Sequence, residues 1–592
     1  MAYFKIIQFK GIAPQVSSRL LADGFAQTAE NVELDSGQLV PIEADSANVL
    51  SGITPSTLQS VNKRSVFLYV DAAADADKKW LQGVDNKYQD FMRGPIANDA
   101  YDRVYWTGDT YPQFGISTTM ITGSGGYPAA SYRLGLPAPA AKLATSKSGS
   151  ADATQIPNSV SYVYTYVDGV GAEGPPSPPS DVITLTDSET VSLSSIAAAP
   201  AVPNGVGAYY LPTEAKKRIY RSNTGTENTQ FQFLAEIAYS ATTYSDTTDA
   251  DELGEVLPSS TWIGPPNDES GTYPDGMMLG LVFVANGIAA GFTGNTLCLS
   301  EPYLPHAWPA DYRISLEETI VGLGVTGNGI AVLTEGTPYF VTGADPAAMT
   351  AVRLDTPEPC VNKQSIVDMG DYVLYAGTEG LVAISGNETR IVTKGIISPK
   401  QWNADFDPTT LQAFRYEDTY IAFNTDGSGN DTGWIFDAKS ENANITTLAL
   451  TDEVRGGYID QKNGDLYVIV GNTLLKWRGH GSTLRTLTYK SKKFITPAPT
   501  SMAWVSVEAD TYPVTIKVYG DGTLIANYAL SLSGSVFTQT TSTPGSISNA
   551  TLTEPVMRLP ATVAQEWEIE VSGATIVNEV CIAQSIEELQ AT

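Results

Sequence analysis

The sequence predicts an all-β protein with a β-propeller at its middle. Three observations point there. Gly, Pro and Tyr are abundant (52, 35 and 30). Short β-branched and aromatic runs alternate with Gly-containing turns, while long helical periods are few. One hairpin unit also recurs at a regular spacing.

The clearest copy of that unit is Val321–Gly343. Asn328-Gly329 turns, Ile330–Thr334 is a strand, Glu335-Gly336 turns, and Thr337–Val341 returns. Glycine accepts positive φ at little steric cost, so such pairs beside apolar runs mark hairpins. Asn286-Gly287 precedes Ile288–Phe292 in the same way. Gly370-Asp371 precedes Tyr372–Ala376 and Leu381–Ile384. Glu417-Asp418 precedes Tyr420–Asn424 and Trp434–Asp437, and Gly464-Asp465 precedes Leu466–Val470 and Thr473–Trp477. Positions 287, 329, 371, 418 and 465 are spaced by about 42 to 47 residues, the period of propeller blades. An unrepeated β-sandwich with evenly spaced hairpins is the alternative.

Taken in order, four regions are expected. Residues 1–137 are an N-terminal β region that contributes to the propeller. It holds a short periodic apolar segment (Leu20, Leu21, Phe25, Ala29), a hairpin (Val32–Leu34 with Gln38–Pro41), and strands Val66–Val70 and Arg103–Trp106. Early strands that close a ring would protect its edges, so deleting the first 110 residues should destabilise the later repeats. Residues 138–262 form an inserted immunoglobulin- or fibronectin-like sandwich. It starts with a Pro/Ala/Ser/Lys linker, Ala138–Gly149, and an alternating strand, Ser159–Val167. A Pro-rich corner, Gly174–Ser180, and strands Lys217–Ser222 and Phe231–Ala238 follow. Residues 263–484 carry the blades. Residues 485–592 read as a C-terminal β-sandwich with strands Ala503–Glu508, Val514–Tyr519, Leu524–Leu530, Trp567–Val571 and Ile576–Ile582, then a helical turn at Ser585–Leu589.

At 592 residues the chain exceeds one core. Charged residues are 17% of it, yet the net charge is −30. Such a chain does not attract nucleic acid or anionic membrane by its long-range field, and it is repelled by DNA. No apolar run has the length of a membrane span, and Met1–Gly11 lacks a signal-peptide core. Cys298, Cys360 and Cys581 are odd in number and far apart, as buried apolar residues would be.

Catalytic and metal patterns are sparse. Two histidines, His306 and His480, are too few for a His-based triad or a zinc site. No cofactor, metal or catalytic residue is expected. Gly322, Gly324 and Gly327 spell GxGxxG, but a β run follows where a phosphate-binding helix is required. Asp426, Ser428, Asn430 and Asp437 approach a calcium-loop spacing without its glycine or terminal glutamate, so a solvated hairpin loop is expected. The aromatic, Pro-rich loop Ser300–Pro309, with Tyr303, His306 and Trp308, is the one candidate packing or interface element.

Several long strings resemble one family. Phe9–Ile42, Met278–Pro309, Val332–Met349, Cys360–Val382, Tyr489–Phe494 and Trp567–Gly573 are similar, in the same order, to podophage tail nozzle proteins (tail tubular protein B). The resemblance implies a non-enzymatic virion component assembled in the host cytoplasm. It implies a homo-oligomer, a hexamer, below an adaptor ring, contacting tail fibres or spikes. Genomic DNA would pass through its lumen without specific binding. A carbohydrate-binding or carbohydrate-cleaving propeller acting on host-surface glycan is the alternative.

Overall fold

The computed structural model describes residues 3–46, 57–70, 78–186, 188–198, 200, 208–224, 229–267, 275–327, 329–424, 432–438, 445–479, 481, 483–543 and 546–590. It is mostly β and contains many small four-stranded antiparallel sheets. Two compact units emerge. One is Met1–Gly52, Ser56–Lys63 and Asp355–Thr592, and the other is Ile53–Pro55 and Arg64–Leu354. The division at Leu354 falls inside the 263–484 region.

In the unit built on Arg64–Leu354, three sheets are meanders whose neighbours in sequence are neighbours in space. They are Asp90–Arg93, Val104–Thr107, Gln113–Gly115 and Tyr132–Arg133; Leu279–Phe283, Ala289–Thr293, Thr296–Leu299 and Ile314–Ser315; and Ile320–Thr326, Gly329–Thr334, Tyr339–Thr342 and Thr350–Arg353. The hairpin expected at Val321–Gly343 is therefore present, with Ile330 opposite Val341. Asn328 lies outside the described residues. Ile330 and Val332 alternate with Ala331 along one strand, and they share a core with Phe292, Leu297 and Leu299 of the preceding sheet.

The region 138–262 has two facing layers. The sheet of Ala144–Ser148, Thr190–Ser194 and Tyr244–Asp246 and the sheet of Tyr162–Val167, Lys216–Thr224 and Thr229–Ala238 share one core of Tyr162, Tyr164, Tyr166, Val191, Leu193 and Ile219. Two expectations are corrected. The linker Ala138–Gly149 contains a strand, because Ala144–Ser148 finds a partner in Thr190–Ser194, with Lys147 opposite Val191. The strand expected at Ser159–Val167 breaks at Ser161. Asn158–Val160 pairs with Ile183–Leu185, and Tyr162–Val167 pairs with Lys216–Thr224. The Pro-rich corner runs beside Tyr162–Val167. Proline has no N–H, so the donors are Gly174, Ser177 and Ser180, bonded to the carbonyls of Tyr166, Tyr164 and Tyr162.

In the other unit, Val367–Asp368, Val373–Ala376, Leu381–Ser385 and Glu388–Ile391 form a further four-stranded meander. Leu411–Tyr416, Thr419–Asn424, Thr432–Phe436 and Ile445–Ala449 follow in sequential order, as do Val454–Asp460, Asp465–Val470 and Thr473–Lys476. The helix Pro399–Asp405 lies between the first two sets. Its Ser398/Gln401 capping box satisfies N-terminal N–H groups, and Trp402 is buried against Phe406 and Trp434.

The N-terminal strands join the C-terminal part of this unit. Tyr3–Ile6 pairs with Val577–Ala583. Ala26–Glu30 pairs antiparallel with Leu487–Ser491 and meets Ile445–Ala449 through one parallel contact, Glu30 with Thr447. The periodic segment Leu20–Ala29 is thus turn followed by strand. Gly11 explains the close approach: the Ile12 N–H donates to the Ile445 carbonyl at 2.9 Å, and a Cβ on residue 11 would lie 2.3 Å from that oxygen. The expected strands at Ala503–Glu508, Val514–Tyr519, Trp567–Val571 and Ile576–Ile582 are present within a residue or a few of their bounds. Their two sheets enclose Val505, Ile516, Met557, Trp567 and Ile582. Among the described residues no helix is long and apolar enough to cross a membrane.

Candidate functional site

The loop after Thr296–Leu299 divides its three candidate residues. Trp308 is 1% exposed. Its N–H donates to the Ile263 carbonyl, and its Nε1 donates to the Pro305 carbonyl at 2.7 Å. The ring packs among Tyr105, Phe114, Leu134, Met278 and Cys298. His306 is half-buried, its ring edge-on to Trp262 at 5.9 Å and its Nε2 shielded from solvent. Burial, and then the Arg103 charge, push its pKa down to about 4, so the ring is neutral at pH 7. Its Nε2 has no hydrogen-bond partner among the described residues. Tyr303 alone faces outward, 51% exposed. It sits at φ 60, its N–H donates to the Gly287 carbonyl, and its ring covers Gly287 so closely that a Cβ there would lie 2.5 Å away. The three side chains do not converge on one site.

The inward pair makes a stability prediction. Replacing Trp308 with Ala removes a large filled volume, and the expected cost is about 3–5 kcal/mol. Urea melts of the two proteins check it, and an unchanged midpoint would contradict this packing.

A cavity of about 280 Å³ lies at one end of the 138–262 module. Asn158, Glu189, Arg221, Asn223, Asp246 and Thr248 help line it. The strand Lys216–Thr224 places Lys217, Ile219 and Arg221 on one face. Arg221 Nη1 donates to Asp246 Oδ2 and to the Thr248 carbonyl, both at 2.8 Å, and the Tyr162 hydroxyl donates to the same carboxylate oxygen at 2.8 Å. Both partners of the pair are nearly fully buried, at 5% and 1% side-chain exposure. Arg221 Nε remains a buried donor with no acceptor among the described residues. The Glu189 carboxylate accepts the Thr186 N–H at 3.0 Å and pairs with Lys147 at 3.1 Å. Arg221 Nε is itself shielded from the cavity, which is lined by amides and hydroxyls such as Asn158, Ser159, Asn223 and Thr248. The cavity's charges are already balanced by the Arg221–Asp246 and Lys147–Glu189 pairs.

A second buried network in the module is saturated. Glu173 accepts from the Thr165 and Tyr220 hydroxyls and from Arg218, each at 2.7 Å. It fixes the sheet and leaves nothing for a ligand. Lys217 is fully buried, with Nζ on the Ala241 carbonyl at 2.7 Å, and burial pushes its pKa down to about 8.

The other sequence motifs resolve simply. Gly322 and Gly324 lie in the strand Ile320–Thr326, and the next element is another strand. Asp426, Ser428 and Asn430 lie outside the described residues, as does His480. Asp437 lines a small cleft of about 40 Å³ with Glu33, Asp35, Glu417 and Arg478. Among the described residues no group of three or more His, Cys, Asp or Glu could hold a metal ion. Cys298, Cys360 and Cys581 are buried and unbridged. Burial pushes their thiols up to about 12, 12 and 11.

The Arg221 site was not singled out by sequence reasoning. Its signal was the basic alternation of Lys217 and Arg221 around Ile219, in a chain with only 35 Lys and Arg.

No known protein family matches the chain, and no curated protein matches it. Solved structures share a weak likeness. PorZ, a surface component of the type-IX secretion system of Porphyromonas gingivalis, is 13% identical at a TM-score of 0.23. The match covers 62% of this chain and 43% of PorZ, so the chain spans less than half of that protein's length. A functionally unknown protein from Desulfotomaculum acetoxidans is 9% identical at a TM-score of 0.23, over 67% of this chain and 90% of that one. YCF48 from Cyanidioschyzon merolae is 10% identical at 0.24, over 51% and 94%. Likeness of this degree says nothing about what the chain does.

Proposed function

We propose that this chain is a structural component of a short phage tail: a hexameric nozzle that sits below an adaptor ring, holds fibres or spikes, and lets DNA leave through its lumen. In this reading the chain belongs to the virion and has no enzymatic activity. Its small antiparallel sheets are propeller blades, residues 138–262 are an inserted immunoglobulin- or fibronectin-like module, and residues 485–592 are a C-terminal sandwich. The observation that carries the reading is the ordered series of nozzle-like strings from Phe9 to Gly573.

The charge supports it physically. Each copy contributes a formal −30, and a ring of six multiplies that. Screening limits each carboxylate to about 8 Å in physiological salt. A channel slightly wider than a duplex keeps wall carboxylates within that reach of phosphate. A net acidic or neutral wall repels DNA and prevents sticking, whereas a basic wall would bind it with strong salt dependence. Light scattering on the purified protein should give the mass of about six chains. A single-chain mass at every concentration would reject the nozzle.

The cavity beside Arg221 favours a second reading, in which the inserted module binds host-surface glycan. A neutral polyol matches the amides and hydroxyls of Asn158, Ser159, Asn223 and Thr248 that line the cavity, and it adds no charge to a balanced site. Ligand-observed NMR with glucose and N-acetylglucosamine tests it. Transfer signals that vanish in Asn223→Ala support this reading. Signals absent from the unmodified protein, or unchanged in the variant, exclude it for those sugars.

A further inference from the structure

From Gly522 to Thr553 the sequence contains no Asp, Glu, Lys or Arg, although charged residues make up 17% of the chain. This stretch is not a loop. Thr523–Ser533, Val536–Thr543 and Ser546–Leu552 are three successive antiparallel strands at one end of the largest sheet. The last strand, Ser546–Leu552, pairs on one side with Val536–Thr543, and no partner on its other side occurs among the described residues. Leu524, Leu532 and Val536 on the neighbouring strands are each about two-fifths exposed, at 40%, 42% and 44%.

A free edge presents a row of N–H and C=O groups that template pairing. Proteins normally blunt such edges with charge, proline or a bulge. Several other edge strands carry charge: Glu388 and Arg390 on Glu388–Ile391, Arg353 on Thr350–Arg353, and Lys147 on Ala144–Ser148. Among the uncharged ones, Leu279–Phe283 and Ile320–Thr326 are bulged, and Val66–Tyr69, Asn158–Val160, Ile183–Leu185 and Ile314–Ser315 are short. Ser546–Leu552 has no charge and no proline, and its register against Val536–Thr543 shows no bulge. An edge left this open in a soluble chain is one that becomes covered.

The charge pattern identifies what covers it. A different partner would gain by being basic, and would dock where this protein is acidic. A second copy carries the same −30, so two copies meet at least cost where neither brings charge. We propose that the uncharged edge Ser546–Leu552, with its neighbouring strand tips, is a contact surface for a second copy of this chain. The proposal rests on the homo-oligomer reading and gives it an address. A ring larger than two needs a heterologous contact, so the edge docks on a different patch of the next copy.

Thr551→Cys tests the contact, because Thr551 is exposed on this strand and the three native cysteines are buried. Maleimide labelling is followed beside light scattering, in the intact oligomer and after dilution or mild urea has separated the copies. The expected result is labelling at least tenfold slower in the oligomer than in the separated, still folded chain. Equal, fast labelling in an intact oligomer would overturn this contact while leaving the ring standing, and would mean that the edge serves another partner. A single-chain mass for the unmodified protein would instead reject the ring itself. As a second variant, Asn549→Asp with Thr551→Glu should shift the protein toward single chains at low salt with an unchanged circular dichroism spectrum. An oligomer that persists in that variant would also count against the contact.

Discussion

Removing residues 1–31 unfolds the unit that contains Asp355–Thr592 and leaves the unit of Arg64–Leu354 folded. The deleted stretch supplies strands Tyr3–Ile6 and Ala26–Glu30, which pair with Val577–Ala583 and Leu487–Ser491. It also carries Ile6, Phe9, Ile12, Ala26 and Ala29 into the core, all at 8% exposure or less. Phe9 meets Tyr489 edge-on at 5.0 Å, and Phe4 stacks on Phe494 at 4.6 Å. Each large apolar side chain contributes about 1.5–3 kcal/mol by burial, and a typical net stability is only about 5–15 kcal/mol. Losing the whole set, with two strands' worth of ladder bonds, exceeds that margin. Limited proteolysis read by mass spectrometry should show the 355–592 region digested and the 64–354 region protected. A truncated chain with the digestion pattern and melting curve of the full chain would refute the arrangement.

The Arg64–Leu354 unit is expected to carry two pH dependences of opposite sign, one from Asp168 and one from His306. Burial pushes the Asp168 pKa up to about 7, against the pull of N–H bonds from Ala172 and Val170. A carboxyl raised in the folded state contributes stability at low pH that is lost as pH climbs from about 4 to 7. His306 behaves in the opposite sense. Its folded pKa is depressed to about 4, so its contribution is complete above about 6.5 and is lost as pH falls through 4. At about 1.4 kcal/mol per unit, each shift is worth a few kcal/mol. Asp168→Asn keeps an oxygen for both N–H donors and removes the first slope, so its melting temperature should rise between pH 4.5 and 6.5. His306→Phe keeps a ring against Trp262 and removes the second, so its melting temperature should fall between pH 4.5 and 7. Two variants with parallel pH curves would show that neither burial has its assigned effect.

Local signals carried the repeats. Ile330, Val332, Val373, Ile421 and Val468 sit in β-branched or aromatic runs, and Gly-containing turns flank them. Both cues act within a few residues, so strand positions could be read before any partner was known. What escaped was set by distant partners. Nothing within Ala26–Glu30 names Leu487–Ser491 as its neighbour, and the sparse apolar spacing of Leu20–Ala29 concealed a strand. Ala144–Ser148 reads as linker because Ala, Ser and Lys are poor strand formers, yet Thr190–Ser194 holds it in register. The Ser/Thr-rich strands Val536–Thr543 and Ser546–Leu552 lack the apolar alternation that marks a half-buried strand. The helix Pro399–Asp405 did carry a local signal, the Ser398/Gln401 capping box ahead of Trp402.

The candidate site divides the same way. The loop Ser300–Pro309 stood out because aromatics and proline are conspicuous, but composition does not say which rings turn inward. Trp308 and His306 did so, and Tyr303 did not. The cavity beside Arg221 depends on residues from four separated segments, which only the fold brings together.

Electron cryomicroscopy of the purified oligomer at side-chain detail tests the nozzle reading. A nozzle requires a closed ring of about six copies, small sheets arrayed as blades within each copy, and a channel lined by more carboxylates than Lys and Arg. A lone chain, or a ring whose channel is lined mainly by Lys and Arg, would contradict it.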